Sequence, residues 1–311
     1  MRAPFTGTRS FDWDAGARRV LASPGGFLRV LGGPGTGKTA LLASAAARRI
    51  ADGADPESVL ILTTSRKAAD TLRADITRAL TGDPDNAPLP RTVREPLVRT
   101  VHSYAYSVLR LQAKADELPA PRLLAGAEQD VVVRELLAGD LAVGAPGWPA
   151  ALKPALIVPG FAEELRDLLL RAAERGLGPE DLIRLGERRK RDEWVAAGRF
   201  WSQYEEVTVL QGAGGNALGV ASAPALDAAE LVTSALLALE DDPELRSREQ
   251  ARVRHLFVDD AQHLDPLQTQ LIRLLGHTAG EFVVAGDQDQ SVFSFRGADP
   301  FLFADADPDG D

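Results

Sequence analysis

The residues with the most explicit chemistry are Gly32-Gly33-Pro34-Gly35-Thr36-Gly37-Lys38-Thr39, which fit the pattern G-x-x-x-x-G-K-[ST]. Glycine lets backbone N–H groups converge on a polyphosphate without Cβ obstruction, and the helix N-terminus behind it favours negative charge. In that arrangement Lys38 reaches the terminal phosphates and Thr39 holds Mg²⁺. A Gly/Pro turn that binds nothing is the alternative. The setting speaks against it, because an apolar run at 27–31 precedes the loop and a helix-forming run at 40–45 follows it.

A phosphate loop needs a second acidic site for its metal. Asp259, directly after the apolar run 255–258, is the candidate ligand, and Asp260 is the candidate general base that orients the attacking water. Gln290, beyond the apolar run 281–285, is placed to bond a γ-phosphate. An acid after a strand is often only a turn former. The phosphate loop is what favours the metal role here.

These groups need a scaffold that brings them to one place. Apolar runs at 27–31, 59–62, 255–258 and 281–285, and the segment 97–103 that ends in polar residues, read as strands, with helical patterns at 65–80 and 104–112 between them. Alternation of this kind predicts an α/β fold with a parallel sheet, whose ligands sit outside the carboxyl ends of the strands. From 113 to 252 strand signals largely vanish, and helical segments such as 128–137, 161–175 and 228–239 are separated by Pro/Gly breaks. The expected division is a nucleotide-binding domain over 1–112 and 253–299, an all-helical insertion over 113–252, and an acidic tail over 300–311.

At 311 residues, 45% hydrophobic and 26% charged, the chain reads as a globular protein of about two domains. No cysteine is present, which excludes disulfides and Cys-ligated zinc, and the four histidines lack zinc-site spacing. No apolar run approaches the ~20 residues of a membrane span, so a cytoplasmic protein without a membrane partner is expected. A net charge of −10 argues against a wholly basic nucleic-acid coat but not against a local basic groove. Arg184 and Arg188-Arg189-Lys190-Arg191, ahead of Trp194 and Trp201, leave two readings open: a single-strand contact, or a helix neutralised by neighbouring acids with its tryptophans packed.

Taken together, the phosphate loop, Leu62-Thr63-Thr64-Ser65-Arg66-Lys67-Ala68-Ala69, Thr100-Val101-His102-Ser103, Val258-Asp259-Asp260-Ala261-Gln262 and Gly286-Asp287-Gln288-Asp289-Gln290-Ser291 through Arg296-Gly297-Ala298 resemble the ordered motifs of UvrD/Rep/PcrA-type superfamily one DNA helicases. The resemblance spans about residues 11–299, and the Asp-Asp-Ala-Gln-His variant looks closest to actinobacterial members, including the AdnA arm of the AdnAB helicase-nuclease. It implies a P-loop, RecA-like domain that binds ATP and Mg²⁺ and follows single-stranded DNA. By the same resemblance, Thr63, Thr64, Arg66, His102 and Ser103 line the DNA path, Phe293 and Phe295 stack on bases, and Arg296 follows them. A second helicase-nuclease subunit is a further implied partner.

Several positions depart from the family pattern. Asp260 stands where glutamate is usual, and Thr64 where a base-stacking aromatic is usual. Ala17 and Ala40 replace the glutamine and arginine that grip adenine, which predicts weaker adenine selectivity. Nothing after Ala298 resembles the family's second RecA-like domain, the source of arginine fingers worth about 10³–10⁵ in rate. The chain is therefore expected to be the N-terminal portion of a helicase and a poor ATPase alone. The alternative is a nucleotide- and DNA-binding regulatory subunit without turnover. A small-molecule kinase is a distant third, since it has no need of the motifs at His102 and Gln290.

Overall fold

The computed structural model describes residues 12–22, 25–81, 96–124, 126–213, 225–292 and Ala298. Helix α1 (Ala15–Leu21) begins on Asp14, whose carboxylate accepts from the Ala17 N–H at 2.7 Å. Strand β1 (Gly26–Leu31), helix α2 (Lys38–Ala51), strand β2 (Val59–Thr63) and helix α3 (Arg66–Thr81) follow. Strand β3 (Leu97–Thr100) runs straight into α4 (Val101–Ala115) because Thr100 serves as the cap, its hydroxyl oxygen accepting from the Ser103 N–H at 3.1 Å.

A short strand β4 (Arg122–Leu123) leads into helices α5 (Gly126–Ala142), α6 (Pro159–Glu174), α7 (Pro179–Arg189) and α8 (Asp192–Ala213). Strand β5 (Ala225–Leu226) and helices α9 (Ala228–Asp241) and α10 (Pro243–Arg252) return the chain to β6 (His255–Val258). Helix α11 (Pro266–Gly276) and strand β7 (Glu281–Gly286) complete the described elements.

The main sheet is parallel, in the order β1-β7-β6-β2-β3. Alternate residues of each central strand enter opposite cores, as a side-chain period of two requires. Leu60, Leu62, Leu256, Val258, Phe282 and Val284 pack with Tyr104, Leu239 and Leu275 on one face. Val59, Ile61, Phe257, Val283 and Ala285 pack with Leu42, Leu72 and Ile76 on the other. A sheet buried on both faces is why the strands read as unbroken apolar runs. The architecture is the α/β parallel sheet that the alternation of elements predicts, consistent with the RecA-like domain that the resemblance implies.

The segment 113–252 divides by packing. Helices α5 to α8 form a separate core around Leu137, Trp148, Leu165, Leu169, Phe200 and Trp201. Helices α9 and α10, expected within the same insertion, instead send Leu231, Val232, Ala235, Leu239 and Leu245 into the sheet's core. Both groups carry apolar stripes, so sequence periodicity does not distinguish which partner each stripe meets. The segment is also not wholly helical: β4 and β5 pair in parallel where the chain leaves and rejoins the sheet-bearing body.

A buried polar network closes the amino end of the sheet. Arg49 donates to Glu281 through Nε at 2.8 Å and Nη2 at 2.7 Å, and to the carbonyls of Leu21 at 2.9 Å and Val20 at 3.0 Å. His255 Nδ1 lies 2.9 Å from Glu281 Oε2. Burial alone pushes the Glu281 carboxyl up, but the bonds from His255 and Arg49 outweigh it and hold the group below its ordinary range. Arg49 of α2 thus fixes α1 and β7 together, and Glu281 extends the tie to β6 through His255.

Candidate nucleotide and nucleic-acid site

The phosphate loop follows β1 and ends in α2, with Gly37 at φ +90° as the helix cap. The first glycine is needed for space, since a Cβ on Gly32 would stand 2.5 Å from Thr36 Oγ1. The Thr36 hydroxyl donates to the Gly33 carbonyl at 2.9 Å, which closes the loop on itself. Lys38 Nζ donates to the carbonyls of Gly32 at 2.5 Å and Gly33 at 3.0 Å. To grip a phosphate, the ammonium exchanges those carbonyls for phosphate oxygens. Pro34, Gly35 and Thr36 form the exposed rim.

Strand register brings the acid to the loop. Val258 pairs with Leu62 on one side and Val284 on the other, and the next N–H, that of Asp259, still bonds the Leu62 carbonyl at 2.9 Å. The Thr39 hydroxyl then donates to Asp259 Oδ2 at 2.8 Å. Asp259 Oδ1 is buried and, among the described residues, has no hydrogen-bond partner. Burial, and then the neighbouring Asp260, push the Asp259 carboxyl up to about 6, while Thr39 and Lys38 pull the other way. A hydroxyl beside a buried carboxylate with one oxygen free of partners is a donor set of hard oxygens that fits Mg²⁺.

Asp260 is half-buried and adopts a left-handed backbone, φ +53° and ψ +42°, which turns the chain out of β6. Aspartate is among the side chains that tolerate this region. Gln262 then ties the two neighbouring strand ends together: its Oε1 accepts from the Asp287 N–H at 3.1 Å, and its own carbonyl accepts from the Ser291 hydroxyl at 3.3 Å. Gln290, half-buried, donates its side-chain amide to the Asp287 carboxylate, so it stands on the rim beyond β7 with its donor committed locally.

The DNA-path candidates behave unequally. Thr64, Arg66, His102 and Ser103 all line one cleft of about 580 Å³ at the carboxyl ends of β2 and β3. Thr63 does not: it is 1% exposed, with its hydroxyl oxygen buried and unpartnered among the described residues. Thr63 is the last residue of β2, a strand buried on both faces, whereas Thr64 lies just past the strand's end, where the cleft opens. Burial lowers the pKa of His102, which favours a neutral ring at the cleft wall. Phe293, Phe295 and Arg296, like the acidic tail, lie outside the described residues.

The cleft also contains Arg73, Arg99 and Tyr106, which sequence reading did not single out. Arg73 sits two turns into α3 on the face of Ala69, and Arg99 lies between Val98 and Thr100 near the end of β3; both positions carry a signal only once the strand and helix faces are known. A second unforeseen neighbour is Trp13, whose ring lies 3.9 Å from where a Cβ on Gly37 would stand. The basic cluster of the helical segment is divided: Arg188, Arg189 and Lys190 are exposed, while its two ends are paired. Arg184 pairs with Asp181 at 2.6 Å, Arg191 pairs with Glu193 at 2.5 Å and covers the Trp194 ring, and Trp201 is buried.

Comparison with known proteins agrees with this geometry. Residues 13–311 match the model of the UvrD/REP helicase N-terminal domain. DNA helicase II of Haemophilus influenzae is 25% identical over 283 residues, covering 90% of this chain and 34% of that protein. ATP-dependent DNA helicase UvrD2 of Mycobacterium tuberculosis is 28% identical over 292 residues, covering 93% of this chain and 38% of that protein. ATP-dependent DNA helicase Rep of Escherichia coli is 40% identical over 75 residues, or 24% of this chain and 11% of that protein. The chain thus spans about a third of the length of the relatives it matches along most of its own. No helix among the described residues is long and apolar enough to cross a membrane. With the match running from ahead of the phosphate loop past the last strand, and the loop, the acid and the cleft on one edge of a parallel sheet, the chain belongs to the UvrD/REP helicase N-terminal domain family.

Proposed function

We propose that this chain is the ATP-binding motor half of a DNA-dependent ATPase, a 3′–5′ helicase acting on single-stranded DNA. The observation that carries the reading is the Thr39–Asp259 contact, which joins the phosphate loop to a buried acid at the same sheet edge as the cationic cleft. ATP is bound with its phosphates on the N–H groups of 32–39, Lys38 on the terminal phosphates and Trp13 alongside. Mg²⁺, when held by Thr39 and Asp259, neutralises charge that develops on the phosphate oxygens. Asp260 orients the attacking water, and Gln290 reports the γ-phosphate to the strand end through Asp287. A second RecA-like domain, from elsewhere in the protein or from a partner, supplies the arginines that complete the site. The domain assignment proposed is a RecA-like body carrying a helical subdomain built on α5 to α8.

The second reading is a nucleotide- and DNA-binding regulatory subunit without turnover. It is favoured by Asp260, one methylene shorter than the usual glutamate, and by the commitment of Gln290 to Asp287. ATPase rate with and without single-stranded DNA separates the two, measured on this chain and on the longest protein that contains it. The motor reading expects stimulation by DNA in the longer protein and its loss in Lys38→Ala. A longer protein that DNA does not stimulate removes the motor reading.

A further inference from the structure

The cleft beside β3 contains a guanidinium with no acceptor. Arg99 is half-buried and, among the described residues, takes no hydrogen bond or ion pair. Burial lowers its pKa, and Arg252, Arg73 and Arg110 lower it further, so it sits in a field of like charge. The acid in the cleft wall, Asp70, is paired with Arg73 at 2.8 Å. A desolvated cation amid cations is costly unless an anion joins it. Tyr106 on α4 lines the same cleft as Thr64, half-buried with part of its side chain packed against the sheet's core.

We infer that Arg99 and Tyr106 form a one-nucleotide subsite, in which Arg99 binds a backbone phosphate and Tyr106 stacks the attached base in place of the aromatic absent at Thr64. The inference rests on the single-stranded DNA reading above and adds to it the residues that hold the strand. Arg99 belongs to an edge strand and Tyr106 to the second turn of the helix that grows from it, so one rigid β3–α4 unit carries both contacts. Arginine offers a planar fork to phosphate oxygens, and a phenol ring stacks on any base. The subsite therefore holds the strand without reading its sequence.

The test is fluorescence-anisotropy titration of a labelled oligothymidylate with this chain over a series of KCl concentrations. Arg99→Ala is expected to reduce the slope of log affinity against log salt by about 0.7, the contribution of one phosphate on a single strand, with Arg99→Lys retaining it. Tyr106→Leu is expected to weaken binding by about tenfold with the slope unchanged, and Tyr106→Phe to restore it. Melting temperature and nucleotide binding of each variant report its fold independently of DNA. Wild-type slope and affinity in folded Arg99→Ala and Tyr106→Leu, in a chain that binds DNA, overturn the subsite alone. No binding by the unsubstituted chain overturns the single-strand reading as well.

Discussion

The Thr39 hydroxyl and Asp259 Oδ2 lie 2.8 Å apart although 220 positions separate them in the chain. Two independent packing events create that contact: β1 pairing with β7, and β6 lying between β7 and β2 in register. The contact satisfies one carboxylate oxygen and leaves Oδ1 buried without a partner among the described residues. If that oxygen belongs to a metal site, Asp259→Asn removes the site and leaves the loop. Thermal melting should show Mg²⁺ adding to the stabilisation given by nucleotide in the wild type and adding nothing in Asp259→Asn. An equal Mg²⁺ increment in both proteins would assign the metal elsewhere.

Lys38 separates binding from folding more cleanly. Among the described residues its ammonium bonds only carbonyls of its own loop, at Gly32 and Gly33, and the rim of that loop is exposed. Lys38→Ala should change unfolding free energy by no more than about 2 kcal/mol, the net worth of two hydrogen bonds to carbonyls that water can reach once the side chain is gone. Nucleotide affinity should fall on the order of a hundredfold through lost charge-assisted contacts to phosphate. Nucleotide then shifts the melting temperature of the wild type and barely that of the variant. A variant that melts far lower without nucleotide would make Lys38 a structural residue first.

Much of this architecture was legible because its signals are local. The phosphate loop and the helix start at Ser65, which accepts from the Ala68 N–H, announce themselves within a few residues. The Thr100 cap, by contrast, begins α4 at Val101, ahead of the helix expected from 104. Parallel strands buried on both faces read as apolar runs whatever their order. The destination of α9 was not legible, because its stripe of Leu231, Ala235 and Leu239 suits either core. Thr63 and Thr64 are the same residue type side by side, and only the point where β2 ends decides that one is buried and the other lines the cleft. Arg99 and Trp13 gain meaning from neighbours far away in sequence, Arg252 and Gly37 respectively.

The network at the amino end of the sheet should dominate stability. Glu281 is 1% exposed and receives Arg49 and His255, and Arg49 also holds two carbonyls at the end of α1. Glu281→Ala strands a buried guanidinium, a change that typically costs about 3–5 kcal/mol. Replacing both partners with apolar residues, as in Arg49→Met with Glu281→Leu, should recover much of that loss, although α1 then loses its carbonyl ties. Urea unfolding of the single and double variants measures this. Equal destabilisation of the two would mean the ion pair itself, and not the unpaired charge, is what matters.

A last prediction concerns pH and the junction where β5 hands over to α9. Asp227 caps α9, accepting from the N–H groups of Ala229 and Glu230 at 2.9 Å each and from Gln129 at 3.3 Å. Glu230 returns the favour to the Asp227 N–H at 2.8 Å, so two carboxyls share one partly buried corner with Glu205 close by. Burial, then Asp227 and, more weakly, Glu205, push Glu230 up to about 7; burial also raises Asp227 and Glu205. A carboxyl with a raised pKa holds a proton in the folded chain that the unfolded chain releases. Stability therefore rises as pH falls from above 7 toward the ordinary glutamate value of 4.5. Glu281, held low, gives the opposite dependence, but its contribution is lost only below that ordinary value, so the two windows do not overlap. Glu230→Gln keeps an acceptor for the Asp227 N–H and removes the charge. At about pH 8 it should stabilise the chain on the order of 1 kcal/mol, or about 1–2 °C, and near pH 5 it should make little difference. Thermal melts of wild type and variant across that range decide the matter: parallel pH profiles would show that Glu230 keeps its charge in the fold.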